Sequence, residues 1–245
     1  MGDLESRVAL VTGGSRGIGK AIALALAEAG AAVAVNYRER GDEAETVVEA
    51  IRKTGGGAAA FGADVSLGNA VESMLHEIEQ EFGPVDILVN NAGMASIRGL
   101  DDMTEEDFDR TLAVNLKSAF LCTQAVLPEM RRRRWGRIVN MSSIGARIGS
   151  VSVSVAYATS KAGVEGLTRG YAVRLAAEGI TVNAVAPGLV DTEMGKPLIE
   201  AGVGKRIPVG RVGTGDEIAQ VVLLLVRNGY TTGQTIAING GALLS

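Results

Sequence analysis

A single cysteine, Cys122, and a single histidine, His76, remove several chemistries from this chain of 245 residues. One thiol has no partner for an intrachain disulfide, and one imidazole cannot build a zinc site or a histidine-based triad with so few helpers. Cys122 stands in the apolar run Ala119-Phe120-Leu121-Cys122-Thr123 and reads as a small buried hydrophobe. His76 stands among Glu72, Glu77 and Glu79 and reads as a surface residue. No metal is expected. Proline is scarce, at 5 residues, and no Pro-rich linker or composition shift divides the chain, so one domain over 1–245 is expected. Long apolar runs are missing too. The run at 221–226 is far short of the roughly 20 residues that cross a bilayer. The N-terminus shows no cationic or apolar leader, and although Gly2 and Ser6 fit a loose myristoylation pattern, no basic cluster supports it. A cytoplasmic protein without membrane attachment is the expectation. Finally, there is no excess of positive charge. A net charge of −4 and a pI near 5.2 offer nothing general to a phosphate backbone, so nucleic acid is not an expected partner.

What is present is apolar and rich in glycine: 47% hydrophobic residues and 33 glycines. Apolar runs of strand length at 8–12, 32–36, 58–61, 87–90, 137–141, 181–186 and 235–238 alternate with helical patterns at 17–28, 43–54, 71–82, 105–131, 156–177 and 216–226. That alternation predicts an α/β fold, a single Rossmann-like, doubly wound parallel sheet of about seven strands with helices on both faces. Its dinucleotide-binding half would span about 1–140. The stretch 188–215, with several glycines and with Pro197 and Pro208, is expected to be a mobile substrate loop.

Thr12-Gly13-Gly14-Ser15-Arg16-Gly17-Ile18-Gly19 joins the first strand to the first helix. Glycines there let the backbone approach a pyrophosphate, and the free N–H groups of a helix start bind its oxygens. The spacing of Gly13, Gly17 and Gly19 is not G-x-G-x-x-G, so position, after a strand and before an apolar helix, carries the argument. The second strand ends in Asn36-Tyr37-Arg38, with no carboxylate to receive ribose hydroxyls. Arg16 and Arg38 can reach a 2′-phosphate instead, which predicts NADP(H).

Tyr157-Ala158-Thr159-Ser160-Lys161 places a phenol and an ammonium one helical turn apart. An ammonium beside a phenol is expected to lower its pKa toward the working range. The preceding strand ends in Asn140-Met141-Ser142-Ser143, where a parallel sheet presents ligands, so a serine there can hold a substrate oxygen.

Together these segments resemble the classical short-chain dehydrogenase/reductase family, over essentially the whole chain. Thr12–Gly19 resembles its T-G-x-x-x-G-x-G turn, Asn90-Asn91-Ala92-Gly93 its N-N-A-G segment, Tyr157 and Lys161 its Y-x-x-x-K, and Pro187-Gly188 with Thr192 its P-G-x-x-x-T. The resemblance implies that Tyr157 donates a proton to the carbonyl oxygen. Lys161 would bind the nicotinamide ribose, Ser143 would orient the substrate oxygen, and Asn115 would hold a relay water. It further implies that Asp64 and Val65 contact adenine, that Asn91, Ala92, Gly93 and Val114 line the cofactor, and that Val190 and Thr192 meet the carboxamide. Between Ser142 and Ser143 the second is favoured. The loop before Tyr157 is one residue longer than is usual in the family, and the extra residue is assigned to 151–155. Arg134 to Asn140, Gly179 to Asn183 and Thr232 to Thr235 resemble 3-oxoacyl-[acyl-carrier-protein] reductases. The basic run Arg131 to Arg134 could dock an acidic carrier protein or be a solvated helix end, and Glu178 stands where such reductases often carry a second basic residue. The implied activity is NADPH-dependent reduction of a 3-oxoacyl thioester. A general ketone or sugar-alcohol dehydrogenase, a 3-oxoacyl-CoA reductase and a non-catalytic NADP-binding regulator are the alternatives. A homotetramer built through the helices of Asn115 and Tyr157, with the C-terminal 236–244 at a second contact, is also implied.

Overall fold

The computed structural model describes residues 2–95, 99–148 and 153–244. Seven strands, β1 (Val8–Val11), β2 (Ala32–Tyr37), β3 (Ala58–Gly62), β4 (Ile87–Asn90), β5 (Gly136–Met141), β6 (Ile180–Pro187) and β7 (Thr235–Ile238), form one sheet in the order β3-β2-β1-β4-β5-β6-β7. Every pairing is parallel. The helices are α1 (Gly17–Glu28), α2 (Gly41–Lys53), α3 (Gly68–Phe82), α4 (Glu105–Leu112), α5 (Ser118–Arg133), α6 (Gly145–Ile148), α7 (Val155–Leu175), α8 (Lys196–Glu200) and α9 (Gly215–Arg227).

Side chains alternate across a strand, so each strand feeds two cores. Ala9, Val11, Ile87, Val89 and Val139 face one side with Ile22, Leu26, Val47, Ile51 and Val222 of α1, α2 and α9. Val8, Leu10, Leu88, Ile138 and Val182 face the other with Met74, Ile78, Cys122, Val126, Met130 and Leu175 of α3, α5 and α7. The central strands are apolar on both faces, as a sheet covered on both sides requires. Cys122 is fully buried, and burial pushes its thiol pKa up to about 12, while His76 is exposed and bonded to Gln80.

Two expectations need correction. The helix expected over 105–131 is α4 and α5 joined by a π-helical turn, Ala113–Lys117, with Asn115 at its centre. The stretch 188–215 is not plain loop: it holds α8 and a 3-10 turn, Val203–Arg206. Its ends are tied where Val190 bridges Gly213, with Asp191 N–H donating to Gly213 O and Gly213 N–H to Leu189 O. Among the described residues no helix is long and apolar enough to cross a membrane.

Candidate active site

Strand order reverses between β1 and β4, and the crevice that a doubly wound sheet forms at such a switch point lies at their carboxyl ends. The buried Thr12 hydroxyl ties the two ends together: it accepts from the N–H groups of Asn91 and Ala92, both at 2.9 Å, and donates to Val89 O. The Asn91 amide donates to Thr12 O and Gly13 O at 2.9 and 3.0 Å, so this residue supports the glycine turn. Gly13 and Gly17 have φ of +60° and +54°, and a Cβ on Gly19 would stand 2.3 Å from the Gly13 carbonyl oxygen. Only glycine allows that turn. Ser15 is buried within it, and Ile18 packs into the core.

The turn has a roof and a far wall. A Cβ on Gly17 would touch the Thr192 methyl at 3.4 Å, so Thr192 closes over it, its hydroxyl accepting from Gly195 N–H. Val190 beneath is buried. Pro187 O accepts from Ile144 N–H, and Gly188 N–H donates to Ile238 O, which fixes this segment to β7 and to the loop after β5. A Cβ on the exposed Gly93 would stand 3.4 Å from Asn115 Oδ1 and 3.5 Å from Lys161 Nζ. Bare backbone therefore lines the path from Gly13 to Lys161, and these residues fit an extended dinucleotide.

The three residues at the end of β2 meet different surroundings. Asn36 is buried; it accepts from Gly13 N–H and donates to Phe61 O and Ala63 O, supporting the turn from beneath. The Tyr37 ring packs against Gly41 and Gly62. Arg38 alone of the three presents a half-exposed charge, paired with Glu39. Arg16 pairs with Glu193, and Arg40, which the sequence reading passed over, bonds both Glu43 at 2.7 Å and Glu193 at 3.3 Å. Three guanidiniums thus stand at this end of the crevice, and Glu193 of the segment before α8 bridges two of them. Asp64 meets opposing influences. Burial raises its pKa, but bonds from Ser66 and the charges of Arg38 and Arg110 hold it below the ordinary value. Val65 beside it is buried.

At the other end of the crevice α7 begins at Ser154, whose hydroxyl caps the Tyr157 N–H at 3.2 Å. Ser143 stands beside Tyr157: a Cβ on Gly145 would lie 3.3 Å from Ser143 Oγ and 3.6 Å from Tyr157 Cε1, and Ser143 Oγ accepts from Gly145 N–H at 3.0 Å. Ser142 points elsewhere, to Lys161 O and Glu165 on α7, so it is Ser143 that meets the tyrosine. Residues 151 and 152, part of the stretch assigned the extra loop residue, lie outside the described residues. Lys161 Nζ donates to Met141 O at 2.8 Å and lies 5.8 Å from the Tyr157 ring centre. An ammonium has three hydrogens, so two remain for a ligand. Burial lowers the Lys161 pKa to about 8 and raises that of Tyr157, against a smaller lowering by Ser143. The expected lowering of the phenol by the ammonium is not what governs it here; desolvation is, because both groups are buried.

Asn115 is held on three bonds: its amide donates to Met94 O and Ser160 Oγ and accepts from Met94 N–H. Ser160 Oγ in turn donates to Tyr157 O, which links the π turn to the start of α7. Val114 beside it is half-buried, its carbonyl accepting from Ser118. The basic run is engaged as well. Arg131 pairs with Glu178, Arg132 with Glu129 and Arg133 with Asp86, while Arg134 donates to Ala177 O.

A family model described as short chain dehydrogenase matches residues 7–202. The chain belongs to the short-chain dehydrogenase family. As a member it is an oxidoreductase working between CH–OH and C=O carbons with a nicotinamide cofactor. It is 45% identical to the 3-oxoacyl-[acyl-carrier-protein] reductase FabG of Staphylococcus epidermidis over 96% of this chain and 98% of that protein. It is 40% identical to the 3-oxoacyl-[acyl-carrier-protein] reductase of Synechocystis sp. over 98% of each. A crystal structure from Agrobacterium tumefaciens, provisionally assigned as a gluconate dehydrogenase, superposes with a TM-score of 0.93 at 33% identity, covering 99% of this chain and 98% of that one.

Proposed function

We propose that this short-chain dehydrogenase reduces a 3-oxoacyl thioester to the 3-hydroxyacyl thioester with NADPH. The reading rests on one observation above the rest: Tyr157 and Ser143 side by side around Gly145, with Lys161 one turn on, at the end of a glycine-lined crevice. The relatives named as 3-oxoacyl-[acyl-carrier-protein] reductases support the thioester, and Arg16, Arg38 and Arg40 support a 2′-phosphate. When bound, the nicotinamide supplies the hydride. The Ser143 hydroxyl holds the substrate oxygen, and Tyr157 gives that oxygen its proton as the carbonyl π electrons move onto it. Burial suits this direction, because a phenol with a raised pKa is protonated at neutral pH. Lys161 holds the ribose with its two free hydrogens. Both amide hydrogens of Asn115 are committed, so it would hold a relay water as an acceptor, through the second lone pair of Oδ1 or a carbonyl of the π turn.

The carrier is the finer question. The arginine run is offset by Glu129, Glu178 and Asp86, which leaves little net charge for an acidic carrier protein. That favours weighing a small thioester or a sugar acid against the carrier-bound substrate, and the gluconate dehydrogenase assignment of the structural neighbour points the same way. NADPH oxidation with acetoacetyl thioesters of both carrier protein and CoA, beside gluconate and polyols with NADP, separates these. Turnover of the thioesters is expected, and turnover of polyols alone would replace the reading. Tyr157→Phe should lower kcat by about a hundredfold or more while leaving NADPH affinity within about twofold.

A further inference from the structure

Glu165 is a buried carboxylate that the chemistry above does not use. It lies on α7 one turn beyond Lys161 and two beyond Tyr157, so the three share a face of the helix. It is 7% exposed, and its partners all reach toward the loop that carries Ser143 or along α7 itself. Oε1 meets Ser142 Oγ at 3.2 Å and Arg147 Nε at 3.1 Å; Oε2 meets Arg147 Nη2 at 3.3 Å and Arg169 Nη1 at 3.8 Å. Arg147 belongs to α6 and Ser142 is the residue before Ser143, so one carboxylate grips the loop on both sides of the serine. The other face of the loop is fixed to β6 through Ser142 N–H to Val185 O and Ile144 N–H to Pro187 O.

We propose that Glu165 is a positioning residue for the reaction: with Ser142 and Arg147 it clamps the β5–α6 loop against α7, and so sets Ser143 beside Tyr157. A buried ion pair adds little net stability, since desolvation of both charges offsets their attraction, but it holds a specific geometry. That geometry matters here because, among the described residues, the Ser143 side chain is held by its own turn: its Oγ accepts from Gly145 N–H and stands beside the Tyr157 ring. The clamp acts on the serine and not on the crevice at large, since none of its bonds reaches the glycine turn or Gly93.

This rests on Ser143 as the substrate-orienting group, and its test is arranged to be separate from the substrate assignment. Glu165→Gln keeps the shape and an acceptor for Ser142 but removes the charge that holds Arg147. In the free protein, hydrogen exchange at the amides of Ile144, Ala146 and Arg147 should speed by about tenfold or more, with the α7 interior unchanged. This readout needs no substrate. On whichever carbonyl the wild type reduces, kcat should fall about ten- to a hundredfold with NADPH affinity, read by fluorescence, within about twofold. Arg147→Gln should match it, and the double variant should be no worse than either single. Placed on a Ser143→Ala background, Glu165→Gln should cost nothing further. Loop exchange unchanged in Glu165→Gln would overturn the clamp. An equal loss of kcat and NADPH affinity, or a full additional loss on the Ser143→Ala background, would reduce Glu165 to a fold-supporting residue.

Discussion

Lys161 carries a cost that becomes visible in pH. Burial holds its folded pKa at about 8, against an ordinary value of 10.5. Between those values the unfolded chain binds the proton and the folded chain does not, so this group makes stability rise with pH through that window, and below it the buried charge is a constant penalty. Binding works the other way. The ribose needs the hydrogens of an ammonium, so NADPH affinity measured by fluorescence titration should fall as pH passes about 8, and Lys161→Met should flatten that limb. A flat wild-type profile to pH 9.5 would contradict the assignment. At the opposite end of the crevice, Arg16→Ala should weaken NADPH by about tenfold or more and leave NADH nearly unchanged, as befits a charge-assisted contact to the phosphate. Glu193→Gln should act in the opposite sense. It removes the carboxylate that bridges Arg16 and Arg40, exposed pairs of modest strength, so NADPH should bind up to about fivefold tighter. Arg40 and Glu193 were not legible in the sequence because their meeting is a matter of distance in space, between the start of α2 and the segment before α8. Arg16 and Arg38 were legible, because each adjoins an element end that the apolar pattern marks.

Elements explain why so much of the rest could be read. The strands are continuous apolar runs and the helices keep a 3.6-residue period, so all seven strands stand within a residue or so of their expected bounds. The π turn is the instructive exception. α-helical and π-helical residues show the same apolar spacing over a few positions, and only the tertiary bonds of Asn115 to Met94 and Ser160 mark the extra residue. Asn36 shows a related limit. At the end of β2 a polar side chain reads as a ligand contact; that it also lies under the glycine loop, bonded to three protein carbonyls and an N–H, is set by tertiary neighbours the pattern does not carry. Two substitutions test what positions the site at this scale. Ser154→Ala removes the cap on Tyr157 N–H and should cost about 1 kcal/mol by denaturant unfolding, with kcat reduced more than NADPH affinity because the first turn of α7 carries the tyrosine. Gly19→Ala drives a Cβ into the Gly13 carbonyl and should destabilise by about 1–3 kcal/mol, with coenzyme binding lost before the fold.

For the whole molecule the question is what covers two apolar regions that the single chain leaves open. Val173 on α7 is 76% exposed, and Phe120 on the neighbouring α5 is 43% exposed. On the far side of the sheet Leu224 of α9 is 58% exposed, and Val209 and Leu244 near the C-terminus are bare as well. Large apolar side chains left exposed on helices are candidates for burial against a second copy of the chain. Were the α5–α7 side and the α9 side each to close on itself about a twofold axis, a tetramer with dihedral symmetry would result. Sedimentation equilibrium should therefore return four chains. Val173→Glu puts a charge in the α5–α7 contact and should yield dimers held by the α9 face; Leu224→Glu should yield dimers of the other kind, and the two together monomers. The dimers left by Leu224→Glu should keep more activity than those left by Val173→Glu, since α7 and the π turn, which hold Tyr157, Lys161 and Asn115, back onto the first face. A monomeric wild type, or equal activity of the two dimers, would break the link drawn here between the outer face of α7 and the chemistry on its inner one.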